Sequence, residues 1–429
     1  MAKIYHSEIY GLRERKYDWL NKHNIKNVKW QKIVPYPEFY LFIPQDQRLQ
    51  KKYQTYSKIT EIFPINNTGI VTKRDSFVIG FNKNEINQRI RIFSDKSLSD
   101  EFVSKSLKLP LRDKDKWDLH EARKHFYRNK DLEDYYTHIQ YRPFDKKWIF
   151  YHPTLVARQV EKVMIHLLQD NLAICVGRTG SATGSDNYDI VFIAENIVDL
   201  NLFRRGGELV FPLYLYPETI KRDKKKNPLA QMMMFEPEIK YQGKQPNIKP
   251  ELFEDLKKNY KKDVTPEEIF YYIYAVLYSY ICRKKYTEFL KVDFPRLPFT
   301  KDYKLFIQLG KLGKLGKQLA DLHLLKSKEL DKTISKFQID GSNKVEKPKY
   351  EEGKVWINKE QYFDGIKEEV WQYQIGGYQV CEKWLKDRKN RTLTLDEIKT
   401  YCKIVTSLSK TIELQKKIDR YFEEVEKTV

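Results

Sequence analysis

The sequence predicts an α+β fold: a mixed α/β unit, then a helical unit, then a C-terminal helical hairpin. Three observations predict it. Through residues 1–217, short β-branched and aromatic runs bounded by Gly, Pro and Asn alternate with charged amphipathic stretches. From Thr265, "TPEEIFYYIYAVLYSYICRKKY" opens with a helix-start signature and stays apolar. From about 395 to 426, apolar residues recur mostly three or four apart. A chain of 429 residues has room for roughly two to three domains.

The elements follow in order. "KIYHSEIYG" reads as a strand and "LRERKYDWLNKH" as a helix. "VKWQKIVPYPEFYLFIPQD" reads as strands broken at Pro35 and Pro37. "NNTGIVTKRDSFVIGFN" reads as a turn, a short strand, a polar corner and a second strand. Residues 84–133 are charged and largely helical. Residues 139–217 read as strands ("IQYRPFDKKWIFYH", "LAICV", "YDIVFIA", "ELVFPLYLYPE") around one helix, "LVARQVEKVMIHLLQ". Residues 1–217 are taken as one mixed unit.

Residues 218–250 hold "IKRDKKKNP", a Met run and several prolines, and read as a basic linker. Residues 251–330 are helical, with Thr265 as N-cap, Pro266 at the first helical position and Glu268 three residues after the cap. Residues 331–353 are polar and read as a second linker. Residues 354–429 give a short strand, "KVWINKEQYF", then helices near 378–388 and 395–426. The last helix carries Ile398, Tyr401, Val405, Leu408, Ile412, Ile418, Phe422 and Val425 as one apolar stripe.

Composition narrows the function classes. Lys+Arg number 79 against 59 Asp+Glu, a net charge of +20, which favours an anionic partner, most simply nucleic acid. The charge is uneven: residues 151–217 hold five Lys/Arg and seven Asp/Glu, so base reading there would rest on a few residues, with phosphate contacts from elsewhere, such as "KRDKKK". The four cysteines are scattered without a C-x-x-C, so neither a zinc site nor a disulfide framework is expected, and a reducing cytoplasm is. No run of about 18 apolar residues exists, so no membrane span is expected.

Catalytic signatures are missing. "CVGRTGSATGSDNYDIVFI", 175–193, has neither dinucleotide nor P-loop glycine spacing, and "DIVFI" continues it as a strand. In "LGKLGKLGKQLA", Gly310 and Gly316 are one residue too far apart for a P-loop, and Lys317 precedes Gln318. No H-E-x-x-H, G-x-S-x-G or [DN]-P-P-[YF] occurs. The E-x-K of "EPEIK" stands without a placed upstream Asp. No catalytic or metal residue is therefore assigned. "DFPRLPF" and "YRPFD" (Arg142, Asp145) read as packed connections.

The ordered set "PYPEFYLFIPQD", "NTGIVTKRDSFVIGF", "YRPFDKKWIFYH", "ARQV", "FPLYLYPE", "TPEEIFYYIYAVLYSYICRKKYTEFLKVDFPRLPF", "LADLHLL" and "QIGGYQVCEKWLKDR" resembles the C-terminal specificity region of type ISP restriction-modification enzymes. Type IIG and TaqI-like adenine methyltransferases have related regions. The resemblance spans roughly 30–425. It implies a target recognition domain over 1–217, with 1–30 as the tail of a coupling or methyltransferase segment, and double-stranded DNA as partner. It also implies methyltransferase, helicase and nuclease domains in cis or in trans. Those domains, not this chain, would use S-adenosylmethionine, ATP and Mg, and the chain alone is expected to be no enzyme.

Under that resemblance the 177–187 loop faces DNA. Arg178, Thr179, Ser181, Ser185 and Asn187 are its candidate readers, because Arg pairs bidentately with guanine and Asn with adenine. Lys73, Arg74 and Asp75 form a second candidate at a strand corner. Arg158 and Gln159 form a third, at the start of a helix, where amide groups favour phosphate. Arg204 and Arg205, before "GG", are candidate phosphate contacts. Two other classes fit the composition: an RNA-binding or scaffold protein without base-specific DNA readout, and a nucleotide-dependent enzyme with atypical loops.

Overall fold

The computed structural model describes residues 3–9, 13–35, 40, 42, 44, 46–127, 132–178, 188–203, 207–217, 243–311 and 313–429. It divides into two compact units, residues 1–55 and 56–429. In the first, Ile4–His6 pairs antiparallel with Gln31–Ile33. The helix Arg13–Lys22 between them buries none of its residues. A second helix, Gln47–Gln54, starts on Asp46, whose carboxylate accepts from the Arg48 and Leu49 amides.

Two small sheets frame the second unit. One has four strands, in the order Ile79–Gly80, Asp145–Phe150, Tyr136–Arg142, Ile197–Val198, with only the last pair parallel. The other is antiparallel, in the order Leu209–Pro212, Ala173–Val176, Val191–Ala194. "AICV" and "VFIA" are buried at every position, which is why they run apolar without alternating.

The 66–82 stretch behaves differently from the two strands expected of it. Asn67, Ile70 and Val71 make single bridges to Val210, Asp199 and Arg158, so the chain passes from one sheet towards the other. Gly69 is needed there: a Cβ would lie 2.6 Å from the Asp199 carbonyl carbon. "DSFV" is a single helical turn, Asp75–Val78, because the Thr72 hydroxyl bonds the Asp75 carboxylate and folds the corner. The expected helix "LVARQVEKVMIHLLQ" is also shorter. Val160 takes a left-handed conformation (φ +54°) and the helix runs only Glu161–Leu167.

The helical part is built on Pro266–Tyr278, which has the Thr265/Glu268 capping box and is buried on all sides. The predicted continuous helix breaks at Ser279, whose hydroxyl caps a second helix, Tyr280–Lys285, and donates to Asp419 at 2.7 Å. A buried tyrosine hydroxyl is costly without a partner, and three on this helix have one. Tyr272 donates to the Pro298 carbonyl (2.8 Å), Tyr278 to that of Val191 (2.8 Å), and Tyr274 bonds His323 Nδ1 (2.6 Å). Burial lowers the His323 pKa to about 3, so the ring is neutral; its Nε2 meets the Thr411 hydroxyl at 2.9 Å.

The glycines of "LGKLGKLGKQLA" now have a structural reason. A Cβ on Gly310 would lie 2.3 Å from the Glu268 carbonyl oxygen, and one on Gly316 2.2 Å from that of Tyr271. They let the helices Tyr303–Gly310 and Leu315–His323 press backbone to backbone on Pro266–Tyr278.

Towards the C-terminus, the stretch that reads as a linker carries structure: Lys349–Glu351 pairs with Lys354–Trp356, which pairs in turn with Tyr362–Phe363. The helices Val380–Lys386 and Leu395–Val425 follow. The long helix buries more than one stripe over its middle. Thr406, Ser407 and Thr411 are buried and bond the carbonyls of Cys402, Leu322 and Ser407, whereas Ile412 is half-buried and Leu414 takes the core position.

Long-range ties cross the sequence boundaries at 217, 251 and 331. Ser57–Lys58 pairs with Arg296–Leu297. The Asn247 side chain bonds Ile65 on both backbone groups and the Pro212 carbonyl. Arg388 bonds Asp145 at 2.8 Å. Among the described residues, no helix is long and apolar enough to cross a membrane.

Candidate nucleic-acid interface

The loop 177–187 leaves the end of the three-stranded sheet. At that end Val176 pairs with both Leu209 and Val191, so the roots of the 177–187 and 204–206 stretches lie side by side. Local bonds fix the first root. The Gly177 amide donates to the Ile190 carbonyl (3.0 Å) and the Tyr188 hydroxyl to the Gly177 carbonyl (3.0 Å). Gly177 is glycine because a Cβ would meet Ile190 Cγ2 at 2.2 Å.

Arg178 is exposed, and its guanidinium rests over the Phe294 ring, 5.3 Å from the centroid. Phe294 lies in "DFPRLPF", which from sequence reads only as a connection. Thr179, Ser181, Ser185, Asn187, Arg204 and Arg205 lie outside the described residues.

The other two candidate stretches are neighbours. Val71 and Arg158 exchange both backbone bonds, at 2.9 and 3.0 Å. Arg158 is exposed, but it lies three residues before the first residue of its helix, Glu161, so it does not stand in the first helical turn. Gln159 is half-buried; its carbonyl accepts from the Tyr151 hydroxyl. Arg74 is 5% exposed, donates to the Thr72 and Leu155 carbonyls and to Asp113 (2.9 Å), and lies 3.9 Å over the Trp117 ring. Its partner is therefore Asp113, and Asp75 instead accepts from Thr72 and Tyr141. Lys73, at φ +57°, is half-exposed and paired with Asp115. Arg74 and Ala157 line an open groove of about 560 Å³ in which Arg112 and Lys116 alternate with Asp118 and Glu121, so it presents no single-sign face to phosphate.

A buried polar cluster underlies the sheet end. Arg142 bonds Asp199 at 2.7 Å, and burial raises the Asp199 pKa against the pull of Arg142. Glu208 is fully buried, and burial pushes its pKa up to about 8. No group of His, Cys, Asp or Glu among the described residues is arranged to hold a metal.

Sequence reasoning missed the supports. "IGGYQVCEKWLKDRK" reads as a helix start whose glycines allow a tight turn; that turn is the tip of a hairpin, Gln374–Ile375 with Tyr378–Gln379, and the helix starts at Val380. The usable signal was a Gly-Gly pair between short alternating runs.

Three solved structures share the fold. LlaGI, a type ISP restriction-modification enzyme solved as a nuclease-deletion mutant with a DNA substrate mimic, matches at 20% identity and TM-score 0.64 over 97% of this chain and 33% of its own. LlaBIII, an ATP-dependent type ISP enzyme bound to DNA, matches at 20% identity and TM-score 0.63 over 91% of this chain and 25% of its own. DrdV, solved as a DNA complex, matches at 18% identity and TM-score 0.66 over 94% and 42%. The chain thus spans a quarter to two fifths of their lengths. No curated protein matches. Residues 61–417 match the type ISP C-terminal specificity domain, and the chain belongs to that family.

Proposed function

We propose that this chain is the part of a type ISP-like restriction-modification enzyme that binds double-stranded DNA sequence-specifically. The reading segments would be the two stretches rooted side by side at the end of the three-stranded sheet. Arg178 carries this reading. It is exposed at the root of a Gly/Ser/Thr loop and rests on an aromatic ring that limits its conformational freedom, as a bidentate base contact requires. The family, and the presence of DNA or a DNA mimic in the three similar structures, support it. Thr179, Ser181, Ser185 and Asn187 would share base contacts, and Arg204 and Arg205 would hold backbone phosphate. Arg158 is the better placed of the remaining candidates, because it is exposed while Arg74 is enclosed.

N6-adenine methylation and cleavage, with S-adenosylmethionine, ATP and Mg, would belong to other domains of the parent enzyme. Unit 1 supports docking to such a domain: Tyr5, Tyr17, Leu20, Ile25, Trp30 and Val34 are exposed, and its first helix buries nothing.

The test is paired binding on cognate and scrambled duplexes at fixed salt. Arg178→Ala is expected to cut discrimination by about 1–3 kcal/mol. Replacing Lys224, Lys225 and Lys226 together should instead weaken all duplexes alike and reduce the salt slope by up to about one per lost phosphate contact. Equal weakening of both duplexes by Arg178→Ala would make this arginine a backbone anchor.

A further inference from the structure

The Gly376–Gly377 turn belongs by sequence to the C-terminal part of the chain, yet it reaches the root of the candidate reading loop. Both glycines have positive φ, +59° and +77°, as a two-residue type I′ hairpin turn demands. The Gly376 amide donates to the Asp189 carbonyl at 3.1 Å, and the Gly377 amide to Asp189 Oδ2 at 3.5 Å. Asp189 lies between the loop and the strand Val191–Ala194.

A second contact concerns the neighbouring stretch. Gly376 lies so close to Phe203 that a Cβ would fall 2.1 Å from Cδ1 and 2.6 Å from the Phe203 Cβ. Phe203 is buried and directly precedes 204–206; a Cβ on Gly177 would lie 3.7 Å from the same ring. One phenyl ring therefore meets the turn and the roots of both candidate stretches.

The hairpin is itself held firmly. The Tyr373 hydroxyl donates to Gln415 on the long helix (3.1 Å), and Gln415 donates to the Tyr278 carbonyl (3.2 Å). The Gln379 amide donates to the Trp371 carbonyl (2.8 Å). The loop root is thus tied to the helical core from two directions: through the turn, and through the Tyr278 bond to Val191.

We propose that the Gly376–Gly377 turn is a positioning clamp that fixes the root of the candidate recognition loop, at Gly177 and Asp189, against the C-terminal helices, with Gly376 and Phe203 as specificity-positioning residues that need not touch DNA. The proposal rests on the DNA-reading function above. A bidentate base contact tolerates little displacement, so a shift at the root costs discrimination before it costs non-specific affinity, which phosphate contacts supply.

The experiment uses the full chain, with the duplex that the wild type recovers from a randomised pool and a scrambled duplex of equal composition. Gly376→Ala places a methyl on Phe203. It is expected to lower the cognate-to-scrambled affinity ratio by about tenfold, most of the value of one bidentate contact, with scrambled binding and salt slope unchanged. Gly353→Ala is the control. Its φ is also positive (+83°), and its Cβ would have only Ile366 O, at 3.8 Å, within 4 Å. It should leave the ratio at the wild-type value. If Gly376→Ala does not fold, Phe203→Leu alone, which loosens the same contact, should lower the ratio.

Hydrogen exchange at the Gly177 and Val191 amides, which bond the Ile190 and Asp189 carbonyls, reads the clamp without DNA. Gly376→Ala should speed it severalfold and Gly353→Ala should not. An unchanged ratio with unchanged exchange overturns the clamp, as does an equal effect from Gly353→Ala. A pool that yields no motif, together with faster exchange in Gly376→Ala, overturns the DNA reading and leaves the clamp standing.

Discussion

Asp145→Ala is expected to destabilise the chain by about 3–5 kcal/mol, the cost of leaving buried charge without its partner. Asp145 is almost fully buried, with Arg388 at 2.8 Å on one oxygen and Lys147 at 3.4 Å from the other. Burial alone would raise its pKa, but Arg388 and Lys147 outweigh burial and hold it below the ordinary carboxylate value. Arg388 also lies 3.4 Å over the Trp384 ring and bonds Glu397 at 3.3 Å, so Asp145 joins the four-stranded sheet to the C-terminal helices. Lys147→Met should cost much less, because Arg388 remains as counter-ion. Denaturant midpoints of the two variants check this, and equal midpoints would count against it.

Glu208→Gln is expected to flatten the dependence of stability on pH. Burial raises the Glu208 carboxyl from 4.5 to about 8, with Asp199 adding to the rise and the amides of Glu208 and Gly69 opposing it. The folded chain therefore keeps this proton up to about pH 8, whereas the unfolded chain releases it near 4.5. Its contribution is fully present below the unfolded value and is lost as pH rises through the window, by roughly 1.4 kcal/mol per pH unit. Glutamine does not titrate, so its own packing cost is the same at every pH. The variant should gain on the wild type as pH rises from about 5 to about 9, read by thermal unfolding at each pH. Parallel pH profiles would show that Glu208 releases its proton normally.

What was legible from the sequence had local causes. The Thr265 cap, the apolar runs around Cys175 and Val191, and the length of the C-terminal helix follow from spacing within a few residues. The misread elements turned on distant partners or on one backbone angle. "DSFV" has strand composition but folds as a turn on Thr72. "ARQV" precedes its helix because Val160 is left-handed and Arg158 pairs with Val71. The spacing of Gly310 and Gly316 already spoke against a phosphate loop, but the reason they are glycine lies in their approach to a helix more than 30 residues earlier. The candidate site divides the same way. Arg178 was legible as the polar end of a strand. Phe294 beneath it and Gly376 beside its root were not, because each lies over a hundred residues away.

The most direct test of the central claim is selection from a pool of randomised DNA duplexes by the full chain, with double-stranded RNA as competitor. The chain is expected to enrich one short motif and to keep it under RNA competition. Affinity for unrelated duplexes should be weak, of order 10⁻⁴–10⁻⁶ M, and fall steeply with salt. A pool that stays random, or a motif that RNA displaces as readily as DNA does, would contradict the assignment of sequence-specific DNA recognition to this chain.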